Sequence, residues 1–132
     1  MSLRPKGLDH LVLRVKDPAA MERFYVEVLG LTVERRLAQA GLVQLRAGEQ
    51  LVDLVDAAGV VGRDGGPVPS DAGRNLDHFC LRIEDFDLAR VIAHLEAHGA
   101  AVGESGRRYG AGGFGVSVYL DDPEGNRVEL RG

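Results

Sequence analysis

Apolar and polar residues alternate in the same nine-residue pattern at two places in the chain. Asp9-His-Leu-Val-Leu-Arg-Val-Lys-Asp17 puts Leu11, Leu13 and Val15 on one side of an extended strand and His10, Val12 and Arg14 on the other. Asp77-His-Phe-Cys-Leu-Arg-Ile-Glu-Asp85 repeats it 68 residues later. Phe79, Leu81 and Ile83 take the apolar side, and His78, Cys80 and Arg82 the other. Asp, His, Leu, Arg and Asp recur at matching places, five of nine. Each copy predicts a half-buried strand with a histidine near its start, on the face away from the apolar row.

The two copies lead into similar stretches of chain. Asp17-Pro18 is a helix start, an N-cap followed by proline in the first turn. Met21, Phe24, Tyr25, Val28 and Leu29 recur at helical spacing, and Gly30 ends the helix. Strands are expected at 31–36, 42–46 and 50–55, completing βαβββ. Residues 57–75, rich in Gly, Pro, Asp and Ser, read as a linker or surface loop. After the second strand copy, Leu88, Val91, Ile92 and Leu95 form a helical stripe ended by Gly99. Next come a short strand at 100–103, a glycine-rich loop at 104–113, and strands at 115–120 and 126–131. Asp121 to Gly125 is the turn between the last two. The expected fold is α+β, with one βαβββ module at 1–56, a linker at 57–75 and a second module at 76–132. So small a unit cannot bury its sheet alone, so the modules are expected to pack together.

Composition narrows the function. Of 132 residues, 45% are hydrophobic and 27% charged, as in ordinary globular proteins. A net charge of −4 gives no reason to expect nucleic acid, whose binding usually needs a basic patch. No apolar stretch is long enough for a membrane span or a signal sequence, so a cytoplasmic protein is expected. A single cysteine excludes an internal disulfide and suits a reducing compartment. Cys80 reads as a small core or pocket residue, since nothing in sequence marks it as a lowered-pKa nucleophile.

The closing strands carry the other half of the chemistry. Val52-Asp-Leu54 returns 76 residues later as Val128-Glu-Leu130, each with a carboxylate on the face opposite the core. His10 with Asp53 and His78 with Glu129 make an N2O2 donor set for a divalent ion: Zn, Ni, Co, Mn or Fe(II). His10, His78 and Glu129 alone make a triad with open positions. Taken singly, each has a structural reading as well: a hydrogen-bonded strand histidine, or a solvated carboxylate on a one-sided sheet. His94 and His98, spaced i,i+4, read as surface residues near a helix C-terminus. Arg14 and Arg82 share the histidine face. They are candidates to hold an anionic substrate, as is Tyr119 to contact one, although pairing with carboxylates on neighbouring strands is the simpler expectation for the arginines. The run 109–115 lacks the Lys-Ser/Thr ending of a phosphate loop and reads as a hairpin at a pocket rim.

These residues resemble the vicinal oxygen chelate superfamily, which includes glyoxalase I, bleomycin- and fosfomycin-resistance proteins, methylmalonyl-CoA epimerase and extradiol dioxygenases. The resemblance rests on Leu-Asp-His at 8–10 and 76–78, Phe24-Tyr25 with Leu29-Gly30-Leu31, Asp122-Pro-Glu-Gly-Asn126 and Val128-Glu-Leu130, and it covers residues 7–131. It implies paired βαβββ modules whose curved mixed sheets form a metal-centred cavity. The implied ligands are His10, His78 and Glu129, with Asp53 at a fourth position where glyoxalase I has Glu or Gln. Gln50 lies nearby but on the other strand face. The resemblance further implies Lewis-acid chemistry on adjacent substrate oxygens, Glu129 as general base, a small-molecule substrate and a homodimer. A glyoxalase-type lyase or isomerase is the first expectation. An Fe(II) extradiol-type dioxygenase and a metal-free drug-binding protein are the alternatives.

Overall fold

The computed structural model describes residues Met1–Gly132, which divide into two compact units, Met1–Pro69 and Ser70–Gly132. The segment 57–75, expected as a linker, is therefore shared between them, and most of it belongs to the first.

The first unit runs β1 (His10–Val15), α1 (Pro18–Arg23), β2 (Thr32–Leu37), β3 (Leu42–Ala47) and β4 (Gln50–Asp56). Its sheet order is β1-β4-β3-β2, with β1 and β4 parallel and the other pairs antiparallel. Asp17 caps α1 as expected, its Oδ1 accepting from the Ala20 amide at 3.0 Å. The helix then widens into a π turn over Phe24–Val28 and ends at Gly30 with φ +78°. Sequence periodicity reads α and π turns alike, because both keep Phe24 and Tyr25 on the buried side. Met21, Tyr25, Leu45 and Leu54 are enclosed, as are Leu13 and Val15 of the apolar row of β1.

The second unit repeats the plan: β5 (Phe79–Arg82), α2 (Leu88–Ala97), β6 (Ala101–Gly110), β7 (Gly113–Asp121) and β8 (Arg127–Arg131), in the order β5-β8-β7-β6. Asp87 caps α2, accepting from the Arg90 amide at 3.0 Å, and Leu95 is its fully buried residue. The fold is thus α+β, two βαβββ modules each with a mixed four-stranded sheet.

One sequence expectation fails here. Residues 104–113 are not a loop; most of them lie in β6, paired with β7 from Ser105↔Val118 to Gly110↔Gly113. Glycine erases the alternation that marks a strand, and cross-strand contacts supply what propensity does not. The Tyr109 and Phe114 rings meet edge to face at 5.0 Å, and the Arg107 guanidinium lies 4.3 Å from the Phe114 centroid.

Gly62 is the most closely crowded glycine of the first unit. A Cβ there would lie 2.1 Å from the Asp56 carbonyl oxygen and 2.7 Å from a Val55 methyl. Gly62→Ala is expected to lower stability by about 1–3 kcal/mol through overpacking. Gly7→Ala, with nothing within 4 Å, is expected to change it little, both read by denaturant unfolding.

Candidate functional site

In both units the histidine at the head of the first strand, the first residue of β1 in one and the residue before β5 in the other, is held by the aspartate before it. His10 Nδ1 lies 2.7 Å from Asp9 Oδ1, and His78 Nδ1 lies 2.6 Å from Asp77 Oδ2. A carboxylate only accepts, so in the neutral ring Nδ1 carries the hydrogen and Nε2 presents its lone pair. This is the tautomer a metal ligand needs, and outer carboxylates commonly fix it. The hydrogen bond with Asp9 raises the pKa of His10 against desolvation, with a smaller upward contribution from the charge of Asp53. The hydrogen bond with His78 lowers that of Asp77.

In the first unit the parallel register sets Asp53 opposite Val12, on the His10 face. Asp53 is only 3% exposed. Its Oδ2 accepts from Gln44 Nε2 at 3.1 Å, and its Oδ1 is buried without a partner. A buried carboxylate oxygen without a donor is costly unless something electropositive meets it. Arg14 is otherwise engaged. Its guanidinium donates to the carbonyls of Gly62, Gly65, Gly66 and Pro67 at 2.9 to 3.1 Å. The partners are backbone oxygens rather than the strand carboxylates expected from sequence. Arg14 thereby ties the segment after β4 to β1.

In the second unit Glu129 is 7% exposed, and its Oε2 lies 3.7 Å from His78 Nε2. Tyr119 faces Glu129 in the β7–β8 register, and its ring meets the His78 ring edge to face at 5.4 Å. The Arg108 and Arg127 guanidinia each lie 5.8 Å from the Tyr119 centroid. Cys80 faces Glu129 across β5–β8. Burial, then the neighbouring Glu129 charge, push its thiol up to about 12, which opposes a thiolate nucleophile. Arg82 pairs in register with Arg131 on this same face. His94 and His98 are exposed on α2, with His98 Nδ1 2.9 Å from the His94 carbonyl oxygen, where it can donate to it.

The donors therefore come in pairs, His10 with Asp53 and His78 with Glu129, and no group of three or more metal-binding side chains forms in the structure. The second pair has a separation that suits a divalent ion. His78 Nε2 and Glu129 Oε2, at 3.7 Å, are close enough to share one, since donors at about 2.1 Å from an ion can be up to about 4.2 Å apart. The unpartnered Asp53 Oδ1 is a free anionic donor beside His10. Sequence reasoning missed Asp9, Asp77 and Gln44. The aspartates were visible as the residue preceding each histidine in both repeats. Gln44 had the weaker signal of a lone amide between Val43 and Leu45 in the strand beside β4.

The sequence model of the Glyoxalase/Bleomycin resistance protein/Dioxygenase superfamily matches residues 7–130, nearly the whole chain. The chain belongs to this superfamily. Among its relatives, a glyoxalase domain-containing protein, RDO1, of Mycosarcoma maydis is 33% identical over 97% of this chain and 69% of its own length. Among solved structures, an integron cassette protein from the mobile metagenome of V. Cholerae is 30% identical over 99% of this chain and 98% of its own, with a TM-score of 0.78. A lactoylglutathione lyase from Agrobacterium tumefaciens is 29% identical over 97% of this chain and 94% of its own, with a TM-score of 0.72. These likenesses extend over both βαβββ modules. No helix is long and apolar enough to cross a membrane.

Proposed function

We propose that this chain is a divalent-metal-dependent lyase or isomerase of glyoxalase type. It acts on a small substrate with vicinal oxygens, works in the cytoplasm and assembles as a homodimer. The observation that carries the reading is the pair His78 Nε2 and Glu129 Oε2 at 3.7 Å, with His78 oriented by Asp77 at 2.6 Å. The same Asp-His arrangement recurs at Asp9 and His10, beside the unpartnered oxygen of Asp53. In this proposal His10, His78 and Glu129 are ligands and Asp53 is the fourth. A bound ion would supply Lewis-acid polarisation of adjacent substrate oxygens. Glu129, screened from bulk water, is the group placed to take up and return a substrate proton. Tyr119 borders His78 and Glu129 and would contact the substrate. The likeness to a lactoylglutathione lyase supports the reaction class.

The test is the metal content of untagged protein purified without chelator, beside His78→Ala. One ion per chain, lost in the variant, is expected. No metal, and no binding on titration with Ni, Zn, Co, Mn or Fe(II), would sink the reading and leave a metal-free binding protein. Asp77→Asn is expected to weaken metal affinity by roughly 10–100-fold, the usual effect of removing an outer carboxylate from a ligating histidine. Its fold should stay unchanged because Asp77 is exposed, and competition with a metallochromic chelator measures the effect.

A second reading has one observation in its favour. Gln44 donates to Asp53, which favours a ligand set without Asp53, and His10, His78 and Glu129 would then be the two-histidine, one-carboxylate set that holds Fe(II) in oxygenases. Iron as the resident metal, with oxygen consumption on addition of catechols, would select this dioxygenase reading.

A further inference from the structure

The second unit carries a cationic cavity that the proposed chemistry does not use. It measures about 520 Å³ and opens where β5 and β8 end and β7 begins. Arg82, Arg131, Asp85, Phe86 and the glycines at 112 and 115 line it. Arg131 is only 6% exposed, yet neither it nor Arg82 forms an ion pair with any carboxylate, Asp85 included. Its guanidinium donates to the Gly113 carbonyl at 2.8 Å, while its Nε is buried without a partner. Ser117, opposite Arg131 in the β7–β8 register, is fully enclosed, and its hydroxyl also lacks a partner. Two buried donors without acceptors, on facing residues beside a second unpaired guanidinium, are costly as a purely structural arrangement. They suit an anion.

The glycines explain how the arginines are seated. A Cβ on Gly110 would lie 2.2 Å from Arg131 Nη1, and one on Gly115 would lie 2.6 Å from Nη2. A Cβ on Gly112 would lie 2.8 Å from Arg82 Nη2. The glycine-rich hairpin thus leaves room for two guanidinia that ordinary residues would displace. Arg82 and Arg131 are each two residues beyond Cys80 and Glu129 on the same strands, so they share the face of the His78–Glu129 pair, about 6–7 Å along it.

We propose that this cavity binds the anionic group of the substrate, a carboxylate or a phosphate, with Arg82 and Arg131 as its cationic walls. The substrate is then a small oxygenated compound with one acidic end, held in register with the donors of the neighbouring rung. Calling the anion part of the substrate rests on the proposed function; anion binding by the cavity does not.

The experiment is calorimetric titration of the full chain, in excess chelator, with inorganic phosphate and separately with lactate. Binding of at least one is expected, weakened about tenfold or more by Arg82→Gln and by Arg131→Gln. Arg82 is exposed, so its variant should fold even if the Arg131 variant does not. Binding of phosphate alone assigns a phosphate ester, and binding of lactate alone a carboxylate. Absence of both, or affinities unchanged in Arg82→Gln, would overturn the proposal. Binding that appears only after Zn or Ni is added would place the anion on the ion instead, and would also overturn it. A chain that takes no metal yet binds the anion in chelator would lose the metal-dependent function and keep the subsite.

Discussion

Glu129→Gln is expected to lower turnover by roughly 10²–10⁴-fold, the range lost when a positioned proton carrier is removed. On the proposed function it should also weaken metal binding by at least about tenfold. Gln matches Glu in shape, so the packing of this nearly enclosed side chain on β8 is kept. What changes is charge and basicity. An amide cannot take up a proton, and it is a weaker donor to a divalent ion than a carboxylate. His78 Nε2, 3.7 Å from Oε2, would then face a neutral group. Metal content by mass spectrometry, with turnover measured at saturating metal, separates the two losses. If saturating metal restores full activity, Glu129 is a ligand without a proton-transfer role. If metal content and turnover both match the wild type, the His78–Glu129 pair is structural and the proposed function fails.

Arg14→Leu is expected to destabilise the first unit by about 2–3 kcal/mol and to free the segment after β4. The wild-type guanidinium makes four hydrogen bonds to the carbonyls of Gly62, Gly65, Gly66 and Pro67. Hydrogen bonds to a charged group contribute about 1.5–3 kcal/mol when buried, and solvent exposure of three of these bonds reduces their sum. Leucine keeps much of the volume over β1 and leaves every carbonyl without its donor. Arg14→Lys should recover less than half, because an ammonium cannot reach four oxygens arranged around a planar fork. Denaturant unfolding measures the loss, and limited proteolysis should cut between 57 and 69 in Arg14→Leu first. Unchanged stability together with unchanged cleavage would mean that the segment is held without Arg14.

The site was only partly legible in the chain. The repeat at 9–17 and 77–85 carries both histidines, and the repeat at 52–54 and 128–130 carries both carboxylates. Strand alternation was enough to put each on the face opposite the core, because a strand has only two faces. Asp9 and Asp77 sit beside the histidines in both copies, but their hydrogen bonds to Nδ1 depend on side-chain rotation, which strand alternation does not describe. Arg14 and Arg82 hold equivalent repeat positions and yet have different surroundings, one bound by four carbonyls and the other lining a cavity. Local sequence around each arginine is nearly the same. The difference comes from segments 48 or more residues away from Arg14 and 30 to 50 residues away from Arg82.

Periodicity and capping are local, so the chain alone was enough for the βαβββ plan, the cap at Asp17 and the apolar stripe of α2. Long-range pairing set the rest. It made 104–110 a strand, because pairing with β7 overrides glycine's poor propensity. It brought Gln44 to Asp53 and Glu129 to within 3.7 Å of His78, because register aligns residues far apart in the chain. It also buried Arg131 beside Ser117 without an acceptor for either, a juxtaposition that only strand pairing produces.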